Sequence, residues 1–201
     1  MALAPEHQKD FGWRSSTLAG ALRLRPPVAQ ITSSEGELTE RWATGAKRVV
    51  QIGIAEGGSA WHARRAMDPR GTLHLIDTYP TVLGLNLSRV TARRLVGGVE
   101  RGRVEWLRAR SDEVAKTWDL PIDFLFIDGD HSHDAVRRDW EDWSGYVTPG
   151  GHVAFHDALK DAPWVDDSYG SARFVSELLE SPGPWRLVDH VDSLAVLGRD
   201  P

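Results

Sequence analysis

Along the chain, short apolar runs ending on glycine or an acid alternate with stretches whose apolar positions recur at helical spacing. Residues 1–32 form an N-terminal extension or lid, with a short helix around Ser16 to Leu24 ahead of Pro26-Pro27. Ser33 or Ser34 can cap a helix from about Glu35 to Thr44, placing Leu38 and Trp42 one turn apart on its buried face. Strands are expected at Val49–Ile54, Thr72–Asp77, Val104–Leu107, Ile122–Asp128 and His152–Phe155. Helices are expected at Ser59–Met67, Leu87–Val96, Asp112–Trp118, Asp134–Tyr146 and Gly170–Leu179. Asp68-Pro69-Arg70-Gly71 and Pro149-Gly150-Gly151 read as turns. Alternation of this kind predicts right-handed crossovers and a doubly wound, mainly parallel α/β sheet of seven strands. The last two strands, Trp185–Asp189 and Leu194–Gly198, follow each other too closely for a crossover and should form an antiparallel C-terminal hairpin. Residues 33–201 therefore read as one domain, with no internal repeat or low-complexity segment.

Composition narrows the class. The 201 residues are 41% hydrophobic and 26% charged, an ordinary globular balance. No run approaches a membrane span, and Met1 to Asp10 lacks a signal-peptide layout, so a cytoplasmic location is expected. With no cysteine, disulfides and thiolate chemistry are excluded. A net charge of −5 offers no general attraction to nucleic acid or anionic membrane. The expected partners are a small-molecule acceptor and, as a homodimer, a second copy of the chain. Nine tryptophans are a high count; most should pack in the core or lid, and one or two can line a pocket for a flat or apolar substrate.

In open α/β sheets ligands lie beyond the carboxyl ends of the strands, and here those ends carry the unusual residues. After the first strand come Gly53 and then Glu56-Gly57-Gly58-Ser59, either a close backbone approach to a ligand or a tight strand-to-helix turn. The glycine spacing is not Gly-x-Gly-x-x-Gly, which disfavours a pyrophosphate cradle. Asp77 ends the second strand, where an acid can accept from both ribose hydroxyls of an adenosyl ligand or cap the next element. Ser111 follows the third strand, beside an adenine ring or as an N-cap. The densest polar cluster is Asp128-Gly129-Asp130-His131-Ser132-His133-Asp134, a site or a solvated capping loop. His131 can exchange a proton near neutral pH, and Asp128 can orient it or hold a cation. His156-Asp157 ends the fifth strand, and with Asp128 the two supply a candidate metal set. Two carboxylates suffice for Mg²⁺, whereas the histidine suits Zn²⁺, Mn²⁺ or Fe²⁺ better. Trp164 and Tyr169 lie in a Lys160–Tyr169 loop that, with a Thr78–Asn86 loop, can cover an acceptor.

Val49-Val50-Gln51-Ile52-Gly53-Ile54-Ala55-Glu56-Gly57-Gly58-Ser59 resembles the first motif of class I S-adenosylmethionine-dependent methyltransferases. Phe124 to Ser132 and Val147 to Asp157 resemble the later half of the same Rossmann-like fold, most closely in small bacterial O-methyltransferases akin to catechol and macrolide-sugar enzymes. The resemblance implies S-adenosylmethionine held by Gln51, Gly53, Glu56, Gly57, Gly58, Ser59, Asp77, Ser111 and Asp128. It implies His131 as base with Asp128, and a divalent metal, most naturally Mg²⁺, on Asp128, His156 and Asp157. Two positions depart from the family pattern: Gln51 replaces a common acid, and His156-Asp157 replaces Asp-Asp or Asp-Asn. The implied reaction is methyl transfer to a hydroxyl of a phenol, catechol or sugar of a secondary metabolite. The alternatives are an N-methyltransferase, another enzyme of this fold, or a non-catalytic nucleotide-binding module.

Overall fold

The computed structural model describes residues 3–7, 9, 17–79, 86–181 and 183–200. Its elements in chain order are β1 (Glu6–His7), α1 (Thr17–Ala21), β2 (Val28–Ala29), α2 (Ser33–Ala43), β3 (Arg48–Ile52), α3 (Gly58–Ala66), β4 (Thr72–Ile76) and α4 (Leu87–Gly97). There follow β5 (Arg103–Leu107), α5 (Ser111–Ala115), β6 (Ile122–Ile127), α6 (His133–Trp143), β7 (Val147–Phe155), α7 (Gly170–Glu180), β8 (Trp185–Val191) and β9 (Leu194–Arg199).

Strands β3, β4 and β6 are buried at nearly every position because helices cover both faces of the sheet, so alternate side chains enter different cores. Val49, Leu73, Leu75, Phe124 and Phe126 pack with α2, α3 and α4 on one face. Val50, Ile52, Ile76, Leu125 and Ile127 pack with α6 and α7 on the other. The sheet order is β5-β4-β3-β6-β7-β9-β8. All pairings are parallel except those of β9 with β7 and β8. The expected doubly wound sheet with its C-terminal hairpin is therefore the one found. The chain winds outward from β3 through β4 to β5, then returns to β6 on the other flank. Ile52 stands level with both Ile76 and Ile127, so three strand ends meet at this reversal.

Several local expectations change. The cap of α2 is Thr32, whose Oγ1 accepts from the Glu35 N–H at 3.1 Å while Glu35 accepts from the Thr32 N–H at 2.8 Å. Ser33 and Ser34 lie inside the helix. The segment read as a turn at Pro149-Gly150-Gly151 is part of the single long strand β7, with an irregular register against β6 between Ile122 and Phe124. The helix expected to run to Tyr146 stops at Trp143, and a 3₁₀ turn covers Ser144–Tyr146. Ser16, at the start of the expected N-terminal helix, lies outside the described residues, as do residues 80–85 of the Thr78–Asn86 loop. Among the described residues no helix is long and apolar enough to cross a membrane.

Gly53, at the crest of β3, has φ +79°, and a Cβ there would sit 1.9 Å from the Asp128 carbonyl oxygen. Gly45 has φ +76° with nothing within 4 Å of a built Cβ. Gly45→Ala should therefore cost about 1 kcal/mol, the left-handed backbone penalty alone. Gly53→Ala should cost about 3 kcal/mol or more, because backbone must also move. Urea denaturation of the two variants measures the difference; equal midpoints would contradict the clash.

Candidate active site

The loops beyond β3, β4, β5 and β6 enclose a cleft of about 620 Å³. Its wall includes Gly53, Glu56, Asp77, Ser111, Asp128 and His131, together with Val28 and Gln30 from the N-terminal segment. Asp77 shapes this crest. Its Oδ2 accepts from the backbone N–H of Ile54 at 2.9 Å and of Ala55 at 3.4 Å, and its Oδ1 accepts from the Tyr79 N–H at 2.6 Å. A carboxylate has roughly four acceptor sites, so capacity remains on the side facing the cleft.

Four of the expected cofactor residues do not reach the cleft wall. Gln51 is fully buried, and its Nε2 donates to the Gly53 carbonyl at 2.9 Å and to Ser59 Oγ at 2.7 Å. Gln51 and Ser59 thus fasten the strand end to α3. Gly57, at φ +90°, lets the turn press on Ala92 and Val96 of α4. A Cβ on Gly58 would fall 2.3 Å from the Ala29 Cβ. These glycines serve close packing of protein on protein. Glu56 does line the cleft, but its carboxylate is gripped by both Arg25 guanidinium nitrogens, at 2.7 and 2.9 Å, and by the Val28 N–H at 2.8 Å. It locks residues 25–28 onto the crest, so that Val28 and Gln30 enter the wall. Two-residue strands carry no periodic signal, so neither the β1–β2 pairing nor this lock is legible as a motif.

At the far end, Ser111 is the first residue of α5 and caps nothing with its side chain; its hydroxyl donates to Asp139 Oδ1 at 2.5 Å. Asp139 was not anticipated. It sits on α6, is 7% exposed and still lines the cleft. Burial pushes its carboxyl up to about 6, against the lowering effect of the Ser111 bond.

At the near end, Asp128, His131, His156 and Asp157 do come together. His131 Nε2 lies 3.9 Å from Asp128 Oδ1 and 3.9 Å from Asp157 Oδ2, with its side chain 40% exposed. Tyr169 stands beside it, ring centroids 6.0 Å apart. His156 is buried, with Nδ1 2.9 Å from Asp128 Oδ1 and Nε2 3.4 Å from Glu35 Oε2. Burial opposes its charging, but the facing carboxylates of Asp128, Glu35 and Asp157 outweigh this and hold the imidazolium up to about 10. Asp157 Oδ1 accepts from Trp164 Nε1 at 3.0 Å and Ser193 Oγ at 3.0 Å, and from the Lys9 ammonium. The expected metal set does not fit a metal. Both ring nitrogens of His156 face carboxylates, so the imidazolium offers a cation no lone pair, and Asp157 Oδ1 already accepts from three donors. Among the described residues no group of three or more His, Asp or Glu side chains is arranged to hold one. Lys9 and Glu35, the other partners of this cluster, were missed because 26 residues separate them from each other and more than a hundred separate them from residues 156 and 157.

Residues 50–158, just over half of the chain, match the family model described as a methyltransferase domain. An uncharacterized protein, R132, of Acanthamoeba polyphaga mimivirus is 29% identical over 120 residues, 57% of this chain and 52% of that protein. The chain thus spans about half the length of this curated relative. The fold is also similar to the O-methyltransferase TomG of Streptomyces achromogenes, solved in complex with SAM (TM-score 0.67, 18% identity, 96% of this chain and 94% of that one). Similar too is an O-methyltransferase from Bacillus cereus in complex with SAH (TM-score 0.62, 17% identity, 96% and 94%). Cofactor-bound Rv0187 from MTB gives a TM-score of 0.68 at 19% identity over 91% and 87%.

The raised carboxyl of Asp139 has a consequence for stability. The folded chain holds that proton more tightly than the unfolded chain, so stability should fall as pH rises from about 4 through about 6. Asp139→Asn removes this slope and should stabilise the protein at pH 7 by on the order of 1–2 kcal/mol. Thermal unfolding of both proteins across that range measures it; parallel curves would contradict the assignment.

Proposed function

We propose, starting from the fact that this chain belongs to the methyltransferase-domain family, that it moves the methyl group of S-adenosylmethionine onto a hydroxyl of a small molecule. The observation that carries this reading is the charge of the cleft. Asp77, Asp112, Asp128, Asp130 and Asp139 line it, against Arg110 and Arg138 as cations. Arg110 is itself paired with Asp112 at 2.8 Å, and Glu56 is neutralised by Arg25. Such a wall suits a nucleoside with a cationic sulfur and repels a pyrophosphate. Gly58 and Ser59 lie outside the wall, so the N-terminus of α3 is not offered to a phosphate. The SAM and SAH held by the TomG and Bacillus cereus proteins support the same ligand class.

When bound, S-adenosylmethionine supplies an electrophilic methyl group on a positively charged sulfur. Asp77 offers its remaining acceptor capacity to the ribose hydroxyls. Ser111 and Asp139 would flank the adenine, Gly53 and Gln30 would border the methionine part, and Asp128 would face the transfer point. His131, exposed at that end and oriented by Asp128 and Asp157, takes the proton released by the acceptor hydroxyl, a role worth roughly 10²–10⁴ in rate. Tyr169 walls the acceptor beside it, which favours a planar ring such as a phenol or catechol.

Titration calorimetry with S-adenosylmethionine and with NAD separates the cofactor classes. The expected result is binding of the first alone, weakened by at least about tenfold in Asp77→Ala, since about 1.4 kcal/mol of hydrogen bonding is lost. His131→Ala should bind the cofactor as wild type does yet methylate a catechol probe about a hundredfold more slowly. Binding of NAD alone, or an unchanged rate in His131→Ala, would remove the donor or the base from this account.

A further inference from the structure

The sequence predicts a bound cation on Asp128, His156 and Asp157, and the structure sets a side-chain cation on one of these three, Asp157. The Lys9 ammonium forms an ion pair with Asp157 Oδ1, lies 3.3 Å from His156 Nε2 and stands 4.9 Å over the ring of Trp164. The approach is built rather than accidental. Residues Glu6 and His7 pair in parallel with Val28 and Ala29, and the Glu6 N–H donates to the Pro27 carbonyl at 2.8 Å. The Arg25–Glu56 pair fastens that second strand to the crest of the sheet. His7 Nε2 meets His62 Nε2 at 3.1 Å on α3, which pins the first strand as well. Lys9 follows two residues later and reaches a carboxylate whose other oxygen faces His131 at 3.9 Å.

We propose that Lys9 is the resident cation of this site: its ammonium engages the Asp157 carboxylate that a divalent metal would need, and the chain works without a metal. Three carboxylates, on Glu35, Asp128 and Asp157, converge on His156. An ammonium with three N–H donors answers part of this negative charge, and at 18% exposure its side chain is still reachable from solvent. By holding Asp157 on one oxygen, Lys9 leaves the other to orient His131; it is a positioning residue for the proton transfer. The N-terminal segment thereby completes the acceptor end of the site. The inference rests on the methyltransferase reading for its purpose, but the occupancy of the position can be measured apart from it.

Electron paramagnetic resonance of equimolar Mn²⁺ with the full chain tests the occupancy. Wild type should leave the free-ion signal intact, as should Lys9→Arg. Lys9→Met keeps the stem against Trp164 but removes the charge, and should bind Mn²⁺ with loss of the free-ion signal. Calorimetry with S-adenosylmethionine on the same samples verifies that each variant is folded. In methyl transfer to a catechol probe, wild type should be indifferent to a chelator. Lys9→Met should lose at least about tenfold in kcat with the cofactor KM unchanged, and Lys9→Arg should recover part of it. Stoichiometric Mn²⁺ binding by wild type, or a Lys9→Met protein that still excludes Mn²⁺, would overturn the proposal while leaving the cofactor reading intact. Absence of cofactor binding in wild type would instead overturn that reading and leave the Mn²⁺ result to stand alone.

Discussion

The site depends on one register. Ile52 pairs level with Ile76 on one side and Ile127 on the other. From that row the Gly53 N–H donates to the Ile76 carbonyl at 3.0 Å and the Asp128 N–H to the Ile52 carbonyl at 2.9 Å. These two bonds bring the bends after β3, β4 and β6 to a single edge, and they are why Gly53 meets the Asp128 backbone so closely. A slip of one residue in β3 would turn Val49 and Val50 to opposite cores and carry Gly53 away by about 3.3 Å. Burial on both faces of the sheet resists that slip, so hydrophobic packing far below the cleft holds its geometry.

A second constraint is charge. The strand ends gather carboxylates, and each has a separate answer. Asp77 is satisfied by backbone N–H groups, Glu56 by Arg25, Asp139 by Ser111, and the Asp128–Asp157 pair by His156 and Lys9. Two of these four answers come from the N-terminal segment. That segment shapes the cleft and balances charge beside it, with Val28 and Gln30 in the wall and Lys9 on Asp157.

The sheet was legible because its central strands carry short apolar runs that end on glycine or acid, a signal local in sequence. The places of Asp77, Asp128 and His131 on the cleft wall were legible for the same reason, since topology brings the strand ends together there. Gln51, Gly57, Gly58 and Ser59 were read as ligand-facing because a glycine-rich turn looks alike whether a cofactor or another piece of backbone approaches it. The partner of Gly58 is Ala29, and nothing in the spacing of either residue announces the contact. Glu35 shows the converse. As the third residue of a capping box it is a commonplace helix acid, yet its carboxylate also takes the Ser193 N–H at 3.0 Å and faces His156. Asp139 reads as one polar residue on an amphipathic helix, and only the packing of α6 against α5 buries it. The pairing of Lys9 with Asp157 joins residues far apart in the chain, a separation no local pattern encodes.

The most direct test of the central claim is a crystal structure of the chain with S-adenosylhomocysteine. The account predicts the ribose hydroxyls on the Asp77 carboxylate, the adenine between Ser111 and Asp139, and the sulfur turned toward Asp128 and His131. A nucleoside bound elsewhere, or a cleft closed to it by the Gly53 loop, would contradict it.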